Sequence, residues 1–529
     1  MFGETSSSRK AIGDVDVVYH DGLYHLFHLV LPNHDFIAHA ISDNAINWRR
    51  VDNAIYIGNP GSWDDLMLWT MHVTPDPHQP GLWRMFYTGL SRREQGLIQR
   101  LGMATSADLY RWKKSSVDWQ DLRGKSDPPK IKAALKDLVP TESTNLESPI
   151  DSNSCFPLSP DPKFYEAALD GERGWISFRD PFYFRDGDRG WLLAAARVDH
   201  GPLVRRGCVA AMEETKPNHF SAVQPLHSPH LYDDVEVPNL IKLSDEYYLV
   251  GSIREDAKIR YWHADDVNQP WKNYYDNVLL PQGNYAGRIC QDDKGVLLFN
   301  FYTQNLADRT TCNNLMPPPK RLCVSENGQL KVTSFEGLVD QISGTIDTRC
   351  LSRLKANQRE SFCQTGQGTL NLASEAGFQA FVFDDEANSF RLRAKFSLVG
   401  NGKCGLLFRI DPASHDGYYV SLDLMKGLAQ FRSWGTGAIG SGENMMQFRS
   451  LQSGNWFSSD RQSAEVELIS FGSYHELSID GSIVLSLADA KFTEGLLGIY
   501  VETATLDIER LTVETMTEPT QTDGHLSSG

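Results

Sequence analysis

The apolar residues of this chain gather into short runs of strand length separated by polar turns, and the arrangement repeats. After Gly13-Asp14-Val15-Asp16 an apolar run reaches the turn Asp21-Gly22 and resumes as Leu23-Tyr24-His25-Leu26-Phe27. After Phe178-Arg179-Asp180-Pro181 the chain reaches Asp186-Gly187 and then Trp191-Leu192-Leu193. After Val235-Glu236-Val237-Pro238 it passes Asn239-Leu240-Ile241 to Asp245 and then Tyr247-Tyr248-Leu249-Val250. The offsets from acid to turn are 7, 6 and 9 residues, the reach of one strand. Gly81-Leu82-Trp83-Arg84-Met85-Phe86-Tyr87 and Lys294-Gly295-Val296-Leu297-Leu298-Phe299-Asn300 share the form of a polar turn followed by an aromatic and aliphatic run, which makes five units before about residue 305. Five such units with few helical patterns predict an all-β fold that begins with a five-bladed β-propeller, small antiparallel sheets stacked around a channel. Asp14, Asp180 and Glu236 stand at matching points of the repeat, so they are expected to open the innermost strands and to share one pocket at the channel mouth.

From Phe378 onward the pattern changes to regular alternation, as in Phe390-Arg391-Leu392-Arg393-Ala394-Lys395-Phe396 and Tyr418-Tyr419-Val420-Ser421-Leu422-Asp423. Short alternating strands with turns between them predict a β-sandwich. The expected organisation is a catalytic propeller over 1–325 with an inter-blade insertion at 113–175, a linker or propeller closure at 326–355, a β-sandwich at 356–517 and a disordered polar tail at 518–529. Within the insertion only 129–139 reads as a short helix.

Composition narrows the function. At 529 residues the chain exceeds one core, and two or three domains are expected. A formal net charge of −17 disfavours nucleic acid and anionic membranes as partners, leaving a neutral substrate. No apolar run approaches the roughly 20 residues that span a bilayer. The start lacks the basic and apolar regions of a signal peptide, and no Asn-x-Ser/Thr acceptor occurs. Cytoplasmic residence is the expectation, or secretion if a signal has been removed. Eight cysteines at irregular spacings without a C-x-x-C pair read as buried thiols rather than a zinc site. The histidines His20, His25, His28, His34 and His39 alternate with Leu and Phe and read as packing and turn residues, so neither a metal nor a cofactor is expected.

Several stretches resemble glycoside hydrolase family 32, the invertase, inulinase and levanase group, over nearly the whole chain. The most specific is Phe178-Arg179-Asp180-Pro181, similar to the family's Arg-Asp-Pro motif. Others are Tyr19-His20-Asp21-Gly22-Leu23-Tyr24-His25-Leu26-Phe27, His39-Ala40-Ile41-Ser42 leading to Asn47-Trp48, Phe86-Tyr87-Thr88-Gly89, Ala104-Thr105-Ser106-Ala107-Asp108, and Tyr474-His475-Glu476-Leu477-Ser478-Ile479-Asp480-Gly481. Departures mark a divergent branch. Gly13-Asp14-Val15-Asp16 keeps the acid of the family's first motif without its asparagines and proline, Glu236-Val237 replaces Glu-Cys, and Trp69-Thr70-Met71 stands where Trp-Ser-Gly is usual.

The resemblance implies retaining hydrolysis of β-fructofuranosides such as sucrose, fructo-oligosaccharides or fructan, by a monomer or dimer. That reaction needs a nucleophilic carboxylate and a carboxylic acid about 5–5.5 Å apart. By resemblance Asp14 is the nucleophile, Glu236 the acid/base and Asp180 the transition-state stabiliser, with Asp16 a rival nucleophile on the same side of its strand. Arg179 holds Asp180 anionic. The expected substrate-binding set is Arg179, Asp16, Trp63, Trp69, His39, Arg254 and Tyr285, with Trp63 in the loop Pro60-Gly61-Ser62 as the rim aromatic. Fructosyl transfer, an arabinofuranosidase-like activity and a non-enzymatic carbohydrate-binding propeller are the alternatives.

Overall fold

In a computed structural model the chain forms a five-bladed propeller followed by a β-sandwich. The structure describes residues 2–3, 11–115, 155–169, 173–268, 270–303, 314–349, 351–354, 361–365, 369–436, 446–457 and 460–517. The short helix expected at 129–139 and the tail at 518–529 lie outside the described residues.

Each blade is an antiparallel sheet whose strands follow in chain order from axis to rim. The inner strands are Ala11–His20, Met67–Pro75, Phe178–Asp186, Glu236–Leu243 and Asn284–Asp292. Each turns back into a second strand: Leu23–Leu31, Trp83–Leu90, Arg189–Arg197, Glu246–Ile253 and Gly295–Tyr302. These second strands lie between neighbouring blades, which is why their sequences are nearly unbroken apolar runs; every residue of Trp83–Leu90 is buried. Phe27, Leu29, Leu68, Met71, Tyr87 and Trp63 form the packed layer between blades 1 and 2, and each large side chain withdrawn from water there is worth about 1.5–3 kcal/mol. The ring closes where Phe2 pairs with Met316 through two backbone bonds of 2.9 Å, and where Tyr24 of blade 1 donates to Asp292 of blade 5 at 2.9 Å.

The segment expected as linker or closure serves both domains. Leu330–Ser334 is the outer strand of blade 5, whereas Ile342–Thr345 and Leu351–Arg353 already pair with sandwich strands. The sandwich is one connected sheet because Leu496–Met516 passes from one layer to the other. Its first third pairs with Lys403–Ile410 and the remainder with Phe390–Val399. Thr503 and Arg510, at φ 46° and 55°, mark its bends. The propeller meets the sandwich through Phe299, Tyr302, Phe335, Leu338, Ile469, Phe471 and Tyr474, with Asn284 donating to the Ser486 carbonyl at 2.9 Å.

Candidate active site

Every inner strand breaks its pairing register near the same end. The shifts fall between Ile12 and Val15, Trp69 and Met71, Arg179 and Phe182, Glu236 and Asn239, and Tyr285 and Arg288. A bulge leaves residues unpaired and re-aims their side chains, a device common beside active sites. Asp180, Val237 and Ala286 occupy these bulges at φ 61°, 49° and 50°, a region that non-glycine residues adopt only where surrounding structure holds them there.

The bulges converge three carboxylates, though not from matching positions as the repeat led one to expect. Asp14 is the second unpaired residue of its bulge, Asp180 the first, and Glu236 the last paired residue before its own. Contacts between blades join them. Thr70 of blade 2 donates its hydroxyl to Asp14. The Val237 N–H donates to Asp180 Oδ2 at 3.1 Å, and the Asp180 N–H donates to the Thr88 hydroxyl at 3.1 Å. Arg179 lies between the other two acids, its Nη2 2.5 Å from Glu236 Oε1 and its Nε 3.5 Å from Asp180 Oδ2. Tyr285 of blade 5 donates to Glu236 Oε2.

Burial and mutual repulsion set the charges. Burial raises the Asp14 pKa well above the carboxylate range, the neighbouring Asp180 and Glu236 raise it further, and Thr70 and Arg288 oppose this. Glu236 is also raised, by burial first and by Asp180 and Asp234, with Arg179 and Tyr285 pulling the other way. Burial works against the Arg179 cation, but Asp234, Glu236 and Asp180 outweigh it and lock the charge in place. Asp234 is the reverse case: Arg179, Arg197 and Arg254 overcome its burial and hold it anionic. Two raised carboxyls beside fixed cations provide one group able to stay protonated while its neighbour ionises.

Of the substrate-binding candidates, Arg179, Tyr285 and Arg254 stand at this constellation, whereas the Trp69 ring lies 6.1 Å from that of His34. Arg254 is half exposed, bonded to Asp234 at 3.0 Å and 3.7 Å from Glu236. Trp69 directly precedes Thr70 and is half-buried. Three others are displaced. Trp63 is a core residue, not a rim aromatic: it stacks on Tyr87 and fills a slot left by two glycines, a Cβ on Gly89 or Gly102 falling 2.4 or 2.6 Å from its ring. His39 is buried inside blade 1, stacked on Phe27 and 3.1 Å from His25. Asp16 is fully buried beneath the site, accepting from the Val73 N–H at 2.7 Å and 3.2 Å from His72. Sequence reading passed over Thr70, whose only sign was its place in Trp69-Thr70-Met71, and Arg288, which carried none. Among the described residues no group of three or more His, Cys, Asp or Glu is placed to hold a metal ion.

A five-bladed propeller carrying a carboxylate cluster at its bulged inner strands, backed by a β-sandwich, is an arrangement with clear likenesses among known proteins. The family model described as Glycosyl hydrolases family 32 N-terminal domain matches residues 14–127. The exo-inulinase of Aspergillus awamori superposes with a TM-score of 0.65 at 13% identity, covering 98% of this chain and 98% of that one. The fructan 1-exohydrolase IIa of Cichorium intybus gives 0.63 at 14%, covering 98% and 97%. The β-fructofuranosidase of Bombyx mori gives 0.60 at 14%, covering 96% and 92%. Mutants of the last two have been solved with 1-kestose and with sucrose respectively. No curated protein sequence matches. The family-32 match lies in the first part of the propeller, residues 14–127, and the solved structures share the fold over nearly the whole chain.

Proposed function

We propose that this protein hydrolyses β-fructofuranosides, sucrose or the fructosyl ends of fructans, with retention of configuration. The observation that carries this reading is the convergence of Asp14, bonded by Thr70, with Asp180, bonded by Val237, and Glu236, bonded by Arg179 and Tyr285, close enough for Asp180 and Glu236 to raise the Asp14 pKa although the residues lie more than 200 positions apart. Asp14 attacks the anomeric carbon while Glu236 passes its proton to the glycosidic oxygen. The covalent fructosyl–Asp14 ester is then cleaved by a water that Glu236 deprotonates. Asp180, beside Arg179, accepts hydrogen bonds from sugar hydroxyls as charge develops on the ring. Asp16 takes no part in attack, because a backbone N–H and Arg288 occupy it below the pocket.

The test uses Glu236→Gln, which keeps the carboxyl's shape but has no acidic proton. General acid catalysis is worth roughly 10²–10⁴ in rate, so sucrose turnover falls by that factor. Glycosylation by an aryl β-fructofuranoside with an acidic phenol is slowed far less, since that leaving group needs little protonation. Equal losses on both substrates would remove Glu236 from the acid role. A panel of sucrose, inulin, levan and aryl furanosides, read for free and transferred sugar, separates hydrolysis from fructosyl transfer and from pentofuranoside cleavage.

A further inference from the structure

The floor of the candidate site is closed by one side chain from blade 5. Arg288 is fully buried on the channel axis. Its Nη2 donates to the Pro181 carbonyl of blade 3 at 2.7 Å and to the Met71 carbonyl of blade 2 at 3.2 Å. Its Nη1 donates to the Pro238 carbonyl of blade 4 at 3.1 Å, and its Nε lies 3.7 Å from Asp16 of blade 1. One guanidinium therefore touches all five blades. The carbonyls it takes are not arbitrary: Pro181 and Pro238 are the second unpaired residues of their bulges, and Met71 immediately follows Thr70. Bulged carbonyls have lost their ladder partners, and leaving them unpaired in the interior is unfavourable. A planar fork with five donors suits acceptors arriving from several directions, which a lysine ammonium does not reproduce.

We propose that Arg288 is the positioning residue of this site, tying the bulges that present Asp14, Asp180 and Glu236 into one frame and setting their separation from below. It is fully buried below the acids and acts through them. The groups facing Asp14 are Thr70 from blade 2, Asp180 from blade 3, Glu236 from blade 4, and Tyr285 and Arg288 from blade 5. Arg288 is the cation among them that opposes the rise of the Asp14 pKa. Removing it therefore moves both the geometry and the titration.

The inference rests on the fructosidase reading, so the experiment carries one readout that needs no activity. Arg288→Met and Arg288→Lys are assayed on sucrose across pH, checked for folding by near-ultraviolet circular dichroism, and crystallised. Arg288→Met is expected to lose about 10²-fold in kcat, the effect of a displacement near 1 Å, with KM changed less than about threefold. Its acid limb moves up by about one pH unit. Arg288→Lys returns the acid limb toward wild type but only part of kcat. In both crystals the backbone at Met71, Pro181 or Pro238 moves relative to wild type. Wild-type kcat and acid limb in either folded variant, or bulges that do not move, would overturn the proposal. Failure of both variants to fold would do so as well, by assigning Arg288 to stability alone. If the wild type turns over no fructoside, the reaction fails and the crystal structures still decide the frame.

Discussion

Asp14, the proposed nucleophile, works against the fold that holds it. Burial and the nearby Asp180 and Glu236 favour its neutral form, yet attack on a sugar requires the anion. The raised folded-state pKa means that wild type loses stability as pH climbs from the ordinary carboxylate value through the raised one, at about 1.4 kcal/mol per pKa unit. Asp14→Asn removes that charge, so it is expected to melt higher than wild type at pH 8 and close to it at pH 4, while turnover is abolished. Thermal melts at the two pH values check this, and an identical offset at both would contradict it. With Asp14 as nucleophile and Glu236 as acid, the same shift is expected to place the acid limb of wild-type kcat/KM above that of an ordinary carboxylate, and the alkaline limb to report loss of the Glu236 proton. The acids themselves were legible in sequence because each lies in a motif that repeats. Trp63 was misplaced because its slot is made by Gly89 and Gly102 on adjacent strands, and two missing side chains leave no local mark near residue 63.

At the scale of the strand, the working part is the interruption. Asp-Gly turns announced the hairpins of blades 1 and 3, since glycine at φ 80° in Gly22 and 55° in Gly187 is what such turns need. The bulges did not announce themselves. Their left-handed positions are taken by Asp180, Val237 and Ala286 instead of glycine, so strand alternation alone could not show that Asp14, Asp180 and Glu236 sit at three different bulge positions. Close approach between elements matters equally. Gly207 opens the third strand of blade 3, donates to the Tyr232 carbonyl at 2.9 Å, and lies so near the Asp233–Asp234 backbone that a Cβ would stand 2.7 Å from the Asp234 nitrogen. Gly207→Ala must push that segment, and with it the anchor for Arg179, Arg197 and Arg254. We expect kcat/KM on sucrose to fall by about tenfold or more with a small change in Tm; an unchanged kcat/KM would show that the anchor tolerates the shift.

Across the whole molecule, the two domains bring buried charged groups to their joint as well as an apolar face. Lys320 of blade 5 is fully buried, bonded to the Pro318 carbonyl at 3.1 Å and set 5.3 Å from the Tyr474 ring. Burial lowers its pKa to about 8, and the Glu476 charge opposes the fall. Glu476 in turn accepts from Tyr474 and Ser334. Lys320→Met removes the cation whose field reaches Glu476, so Tm is expected to fall and Glu476→Gln in the same chain to restore part of it. No recovery in the double variant would argue that the lysine stem, not the charge, holds the joint. Both domains could be read from periodicity, the joint could not: Lys320 follows a run of three prolines, and its partner lies more than 150 residues downstream. The strand Leu496–Met516, which stitches the two sandwich layers together, sets a timetable for synthesis. At roughly 5–20 residues per second the ribosome finishes blade 5 on the order of 10–30 s before it delivers this strand. Throughout that interval the propeller is complete while Phe299, Tyr302 and Phe335 await their cover, so the nascent chain is most exposed to chaperones and to its own kind after its catalytic half has already formed.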